Sequence, residues 1–434
     1  MPGTGCAPTC PDPPLPKENP MPTRPRRPIL RVLAIVLAVA LVLVLGGFAW
    51  RFVTTRPAGE PQAVELTDAT LSKTLTSATV LAVGEATHGT AEFQQVRQQV
   101  LAKVVADGFT TVALEDSAGT ATQVDAWLQG GAGTAEEAAK RFGYGIYHTR
   151  QMADLLTWIR DYNKSTPAER RIRLYGIDVQ PPEADKQVVL RWLARRDADA
   201  AASFTERLST FDNDSLYDKN AAVAAAPVAA ELATVVEKAA AGRSDDATLR
   251  ARLSARALAH GATYATGSRQ GDARDRLLAD QLAWLVERRA EVGAKHTLLL
   301  AHNGHVDRAG QATAVPGETL GSLSAKRWGD AYRAIGTDGH HVELSSDDQT
   351  IRVSVDSPVR GLFAGTRVGY LEMAAASPAN RQVLDRSMPM VSAGVPFPAW
   401  YTWLPMLHSV KVTPNQAWDA LIYVEDGTPT TPVG

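Results

Sequence analysis

The amino-acid sequence predicts an α/β protein: a parallel or mixed central sheet flanked by helices, with a large helical insertion and an N-terminal transmembrane helix. Three observations predict it. Short apolar runs alternate with segments of helical periodicity, as in units of a mostly parallel sheet. Four of those runs end in polar motifs: Gly84-Glu85-Ala86-Thr87-His88-Gly89, Leu114-Glu115-Asp116, Gly176-Ile177-Asp178 and Ala301-His302-Asn303-Gly304-His305. An almost purely apolar run, Ile29 to Trp50, precedes them all and matches the roughly 20 residues needed to cross a bilayer.

Composition narrows the class. The 434 residues allow two or three average domains or one large α/β domain. A hydrophobic content of 45% with 21% charged residues gives ample core, and a net charge of −2 excludes a nucleic-acid partner.

From the N-terminus, residues 1–28 read as a Pro-rich cytoplasmic tail. Its cysteines, Cys6 and Cys10, are the only two in the chain, lack companion ligands for a zinc site, and leave the folded part without disulfides. Arg24, Arg26, Arg27 and Arg31 flank the start of the apolar run more heavily than Arg51 and Arg56 flank its end, which predicts a single-pass signal anchor over 29–50 with the rest outside the cell. Residues 51–64 form a linker. The folded domain is expected over 65–425, with 426–434 as a C-terminal tail.

Within the domain, Thr79–Gly84 reads as a buried strand and 90–107 as a helix ended by Gly108. Phe109–Leu114 is the second strand, so this β-α-β unit predicts two parallel neighbours with Glu85 and Glu115 at one edge. Helical patterns at 120–129 and 150–163 lead to a third strand, Arg173–Ile177, which Pro181 and Pro182 follow. About 183–292 is Ala- and Arg-rich, helical near 184–196, 222–241, 247–266 and 272–291, and is read as an insertion between strands. His296–Ala301 is the fourth strand. Further strands are expected at Tyr332–Gly336 and Asp419–Val424, with shorter β-prone runs at 340–344 and 350–355 and a short helix opening near Gly317–Gly321. The aromatic segment Phe397–Trp403 is expected to pack in the core or as a lid.

In an open parallel sheet the carboxyl ends of the strands form the ligand crevice, so the four motifs are expected to converge. Two or three imidazoles beside carboxylates supply a general base, a proton donor to a leaving group and partners that fix tautomers. That is equipment for activating water. There is no G-x-S-x-G elbow and no cysteine in the domain, so direct attack by water is favoured over an acyl-enzyme.

The run Gly84–Gly89, with Glu92, Phe93 and Arg97 behind it, resembles the opening motif of the erythromycin esterase-like family. Glu115, Tyr175–Asp178, Arg274-Asp275-Arg276 and Ala301–Val306 are similar to that family's later motifs, in the same order, across about 65 to 425. The resemblance implies hydrolysis of a lactone ester by water, with His88 as general base and no essential metal. Glu85 and Glu115 would orient the base or the water, His302, His305 and Arg97 would position groups or stabilise an oxyanion, and Arg274 would line the cleft from the helical side. The candidate catalytic residues are therefore His88, Glu85, Glu115, His302 and His305, and the candidate substrate-binding residues Arg97, Asp178, Arg274 and Asn303; no cofactor is assigned. The family's macrolide esterases are described as soluble, whereas this chain carries an apolar segment, so an envelope ester stands beside a macrolide as the expected substrate. Two alternatives remain: a metal site built from His88, His302, His305 and Glu115, and an extracellular binding domain without catalysis.

Overall fold

A computed structural model describes residues 35–44 and 59–434, apart from 216–217, 268–270, 315–316, 347–348 and 395. The chain divides into two units, Met1–Arg56 and Pro57–Gly434. In the first, the described residues form one apolar helix, Ile35–Val44; the rest of the expected span over 29–50, both cysteines and the preceding arginines lie outside the described residues.

The second unit is built on a mixed nine-stranded sheet of order β1-β8-β11-β6-β2-β5-β3-β4, with β7 paired to β6. Its parallel heart is β11 (Ala420–Gly427), β6 (Tyr332–Ser346), β2 (Val80–Glu85), β5 (His296–His302), β3 (Phe109–Ser117) and β4 (Arg173–Asp178). Three strands run the other way to their neighbours: β8 (Val368–Glu372) against β11, β1 (Val64–Glu65) against β8, and β7 (Gln349–Ser354) against β6. Inner strands are buried on both faces, as their continuous apolar runs require. Leu81 and Val83 of β2 enter one core with Leu298 and Leu300 of β5, while Val80 and Ala82 enter the opposite core with Leu299 and Ala301.

One expectation is overturned here. β2 and β3 are not neighbours, because β5 lies between them, paired in parallel to both. The strand after the insertion is the most uniformly apolar, Leu298-Leu299-Leu300-Ala301, and so takes the central, doubly covered position. The runs at Tyr332–Gly336 and 340–344 are a single strand, β6. β8, and the separate hairpin of β9 (Met388–Val391) and β10 (Ser409–Val412), went unseen in the sequence, being only four or five residues long.

The helix Ala91–Val104 is followed by a 3-10 turn and stopped by Gly108 at φ 97°, a conformation favourable to glycine. The insertion contains the expected helices, as Glu183–Ala194, Lys219–Ala239, Asp246–Thr266 and Gly271–Glu291, plus one more, Ala198–Arg207. Its first four helices in chain order share a core of their own around Trp192, Phe204, Leu232 and Leu258. Lys219–Ala239 is long and apolar enough to cross a membrane, but Ala222, Ala225, Ala229, Leu232 and Val236 bury one face in that core. The last helix, Gly271–Glu291, instead packs on the sheet through Leu278, Leu282 and Leu285. That placement brings its N-terminal turn to the strand ends.

The expectation for the aromatic segment holds for Phe397 and Tyr401, which join the core, and not for its two tryptophans. Phe397 is buried edge-on against Tyr401, but Trp400 and Trp403 are exposed together with Leu404 and Met406. A one-sided 3-10 turn, Ala399–Trp403, follows Pro398 and has only one face to bury.

Candidate functional site

Four adjacent strands, β2, β5, β3 and β4, carry the four motifs to one edge of the sheet. Glu85 ends β2 and His88 follows it three residues later, in a turn before the helix Ala91–Val104. His88 Nδ1 lies 2.6 Å from Glu85 Oε1, so the imidazole donates there and its tautomer is fixed with Nε2 as the base nitrogen. On the other carboxylate oxygen, Arg97 Nη2 stands 2.7 Å away, close enough for an ion pair though out of line for a hydrogen bond. Burial opposes ionisation of Glu85, but Arg97 and the His88 hydrogen bond outweigh it and hold the carboxyl below its ordinary range. Arg97 is one helical turn and a half into Ala91–Val104 and is roofed by the Tyr147 ring at 5.2 Å.

β5 delivers His302 beside His88, ring centroids 4.9 Å apart. The His302 Nδ1 accepts from Gly304 N–H at 3.2 Å, capping the short helix Asn303–Val306, so Nε2 carries the proton and donates to Ala86 O at 3.3 Å. Burial, reinforced by the two neighbouring histidines, pushes its pKa down to about 3, and the ring is neutral. A Cβ on Gly84 would stand 2.8 Å from Val306, so glycine there lets this helix sit on β2.

β3 delivers Glu115, whose Oε2 accepts His302 N–H at 3.0 Å and whose Oε1 receives His305 Nε2 at 3.1 Å and Arg274 Nη2 at 3.0 Å. Burial works against its charge, yet His305 and Arg274 hold it well below the carboxylate range. His305 is bracketed: Nδ1 donates to Asp275 Oδ1 at 2.8 Å while Nε2 donates to Glu115. Burial disfavours the imidazolium, but the two carboxylates raise its pKa to about 10, so it is charged. Arg274 Nη1 is 3.4 Å from His305 Nε2; with both cations protonated these are two donors, and what they share is Glu115.

β4 delivers Asp178, fully buried, which takes Arg274 through both Nε (3.2 Å) and Nη2 and accepts Tyr144 O–H at 2.8 Å. His88 (15% exposed), His305 (18%) and Arg274 (20%) reach the surface of this cluster, as does the half-buried His302, against 1% for Glu85 and Arg97. His88 and Tyr144 border an open cavity of about 660 Å³. A second cavity of about 360 Å³, lined by Asp125, Arg173, Trp192 and Arg250 among others, opens at the opposite end of β4. Its Asp125, Arg173 and Arg250 are paired with one another, and the four motifs contribute nothing to it.

All nine residues singled out in the sequence lie at this edge, but three take other places than expected. Arg97 and Asp178 are too deeply buried to touch a substrate; one holds Glu85 and the other holds Arg274. Asn303 is locked to the Thr337 backbone, donating to its carbonyl at 2.6 Å and accepting its N–H at 3.1 Å, and so splices β5 to β6. One residue, Tyr144, was missed, and Asp275, named in the sequence only as part of the Arg274-Asp275-Arg276 stretch, was given no role. Asp275 sits beside Arg274 on the same helix and also accepts Leu320 N–H at 2.7 Å; Tyr144 lies in the Gly143-Tyr144-Gly145 loop, whose backbone N–H groups Asp116 accepts. The loop glycines were the only sequence signal for it.

The metal alternative finds no ligand set. Both ring nitrogens of His302 and of His305 are committed to hydrogen bonds, and among the described residues no group of three or more His, Cys, Asp or Glu is placed to hold an ion.

Fold and site together define an α/β protein with a histidine–carboxylate cluster at its strand ends. The chain belongs to the erythromycin esterase family, whose model matches residues 104–427. That span holds Glu115, Asp178, Arg274, His302 and His305, while Glu85, His88 and Arg97 precede it. Membership points to a hydrolase. Solved structures share the fold: a Bacillus cereus protein (19% identity, TM-score 0.71, 88% of this chain and 95% of that one) and a succinoglycan biosynthesis protein (15%, 0.71, 88% and 97%). A His-to-Asn mutant of the erythromycin esterase EreC in its open conformation is similar too (18%, 0.60, 85% and 98%).

Proposed function

We propose that the protein is a membrane-anchored hydrolase that cleaves an ester or lactone by His88-assisted attack of water. The observation that carries this reading is the chain Arg97–Glu85–His88. A buried arginine fixes a buried carboxylate, which fixes the one imidazole of the cluster whose second nitrogen has no hydrogen-bond partner among the described residues and which borders the cavity. Nε2 of His88 takes a proton from water as the oxygen attacks the carbonyl carbon. Negative charge then develops on the carbonyl oxygen, and Arg274 with the His305 imidazolium stabilises it. Collapse of the tetrahedral species breaks the carbon–oxygen bond, and His88 returns its proton to the leaving alkoxide. Glu115 keeps the two cations at fixed spacing, and His302, neutral, supplies packing and no charge next to the base.

Anchoring is supported by the apolar run Ile29–Trp50, of which Ile35–Val44 is helical, and the arginine excess before it supports an orientation with the catalytic unit outside the cell. Macrolide lactones and envelope esters are the substrate classes proposed. The test is hydrolysis of a panel of macrolides and simple esters by the full chain in detergent, with His88→Ala as its pair. Loss of about 10²–10⁴-fold in kcat/KM with an unchanged melting temperature is expected; a variant as active as the parent sinks the mechanism. Protease protection of the catalytic unit in intact cells would refute the orientation.

A further inference from the structure

The cavity of about 360 Å³ lies at the amino end of β4, the strand that Arg173 opens and Asp178 closes. Its walls come from Arg173 itself, from the helix Ala118–Leu128 that follows β3, and from the helices Glu183–Ala194 and Asp246–Thr266 of the insertion. On Glu183–Ala194 and its C-cap, Val188, Arg191, Trp192 and Arg195 recur at the i, i+3, i+4, i+7 spacing of one helical face. An apolar floor and a cationic rim thus share one stripe: Val188 and Trp192 are buried, whereas Arg191 and Arg195 are exposed. The indole is held in place, with Nε1 donating to Thr248 Oγ1 at 3.3 Å and the Arg196 guanidinium 3.9 Å from the ring centroid.

Among the described residues, four arginines and two aspartates line the cavity. The aspartates neutralise only two of the four. Asp125 Oδ2 accepts Arg250 Nη2 at 2.7 Å and pairs with Arg173 Nη2 at 3.1 Å, while Asp246 Oδ2 accepts Arg250 Nε at 2.6 Å and the same Arg173 nitrogen. Their other oxygens are occupied as well, Asp125 Oδ1 by Leu174 N–H at 2.9 Å and Asp246 Oδ1 by Tyr175 O–H at 2.6 Å. The guanidinium groups of Arg191 and Arg195 have no ion pair or hydrogen bond among the described residues.

We propose that this cavity binds a small soluble dianion of the phosphate monoester class, its charged group between Arg191 and Arg195 and its apolar body against Trp192 and Val188. Charge sets the class. Residues four apart on a helix stand about 6 Å apart at Cβ, so both guanidinium groups reach one phosphate, and their planar forks match its oxygens. A monoanion leaves one of the two without a counter-charge. The volume of about 360 Å³ is at the small end of the range for ligand pockets, which limits the body to about the size of one ring. None of the histidine-cluster residues lines this cavity, so binding here is independent of the hydrolase reading.

Three probes are titrated calorimetrically into the full chain in detergent at about pH 8, above the second phosphate ionisation near 6. Phenyl phosphate is the dianion, phenyl sulfate is the monoanion of the same shape, and inorganic phosphate lacks the body. Phenyl phosphate should bind at least about tenfold tighter than either of the others. Arg191→Glu and Arg195→Glu, both at exposed positions, should each weaken it at least about tenfold, whereas Arg386→Glu, an equal charge change outside the cavity, should stay within about twofold. In the unaltered protein, phenyl phosphate should slow phenylglyoxal modification of Arg191 and Arg195, read by peptide mass spectrometry, which covers a variant that misfolds. His88→Ala should bind phenyl phosphate as the parent does, even where ester hydrolysis is lost. No saturable binding of phenyl phosphate overturns the site, and equal affinities for phenyl phosphate and phenyl sulfate overturn the dianion class. Arg191 and Arg195 variants that bind like the parent, phenylglyoxal reaction unslowed by the ligand, or binding weakened by His88→Ala would each put the anion elsewhere and overturn the site.

Discussion

Asp275→Asn is the sharpest probe of the cluster, because it removes a charge and keeps a shape. His305 ordinarily titrates near 6.5 and is raised here to about 10, with burial opposing and Glu115 and Asp275 supporting the imidazolium. At about 1.36 kcal/mol for each tenfold change in protonation, that rise represents at most roughly 5 kcal/mol. The two carboxylates stand at similar distances, 3.1 and 2.8 Å. Losing the charge of one removes about half the support while burial still opposes, so at least half of that rise is lost, about 2–3 kcal/mol or more, and the His305 pKa comes down to roughly 8 or below. The sign follows from linkage: a raised folded-state pKa gives stability that is complete below 6.5 and disappears as pH climbs through about 10. If the imidazolium stabilises the oxyanion, the alkaline limb of kcat/KM should move from near 10 in the parent to about 8 or below in the variant. Ring-nitrogen NMR titration of His305 reads the same change without substrate. An unmoved NMR midpoint refutes the electrostatic argument; a moved midpoint with an unmoved activity limb refutes His305 as the charged partner in the reaction.

Three more outcomes are expected. Arg97→Met leaves the buried Glu85 carboxylate without its arginine and held only by His88, and should cost about 3–5 kcal/mol in urea unfolding; a loss below about 1 kcal/mol would mean the pair carries no weight. Asn303→Ala breaks the double bond to Thr337 and should lower stability by about 1–3 kcal/mol with KM unchanged; a raised KM at full stability would return Asn303 to the substrate. Burial raises Asp338 from 3.8 to about 7, so its contribution is intact below 3.8 and lost as pH rises to about 7. Asp338→Asn should therefore flatten that part of the stability–pH curve by at most roughly 4 kcal/mol, and curves of identical slope would contradict it.

How much of this was legible beforehand depends on the range over which each feature is decided. The runs at 80–85, 109–114, 173–178 and 296–302 are strands because local composition makes them so, and each carried its polar motif to the strand end as read. The helices were legible from periodicity for the same reason, down to the stop at Gly108. Residue type and position at a strand end were thus enough to gather seven of the nine candidates at one edge; Arg97 and Arg274, on helices, came from the family resemblance.

Neighbours and roles were decided elsewhere. A two-residue period says that Leu298 and Leu299 are both buried, not that β5 slides between β2 and β3. Whether an arginine meets substrate or only holds a carboxylate turns on burial, and Arg97 and Arg274 differ in that alone. Asp275, Tyr144 and Thr428, which was expected in a tail but is bonded to Glu92, acquire their partners across 30 to 336 residues of sequence. Hydrogen bonds of that span follow from how helices and strands pack, and no local pattern encodes them. The sequence by itself determined which groups could do chemistry; the tertiary structure decided which of them face the cavity, because exposure and charge pairing are properties of the packed whole.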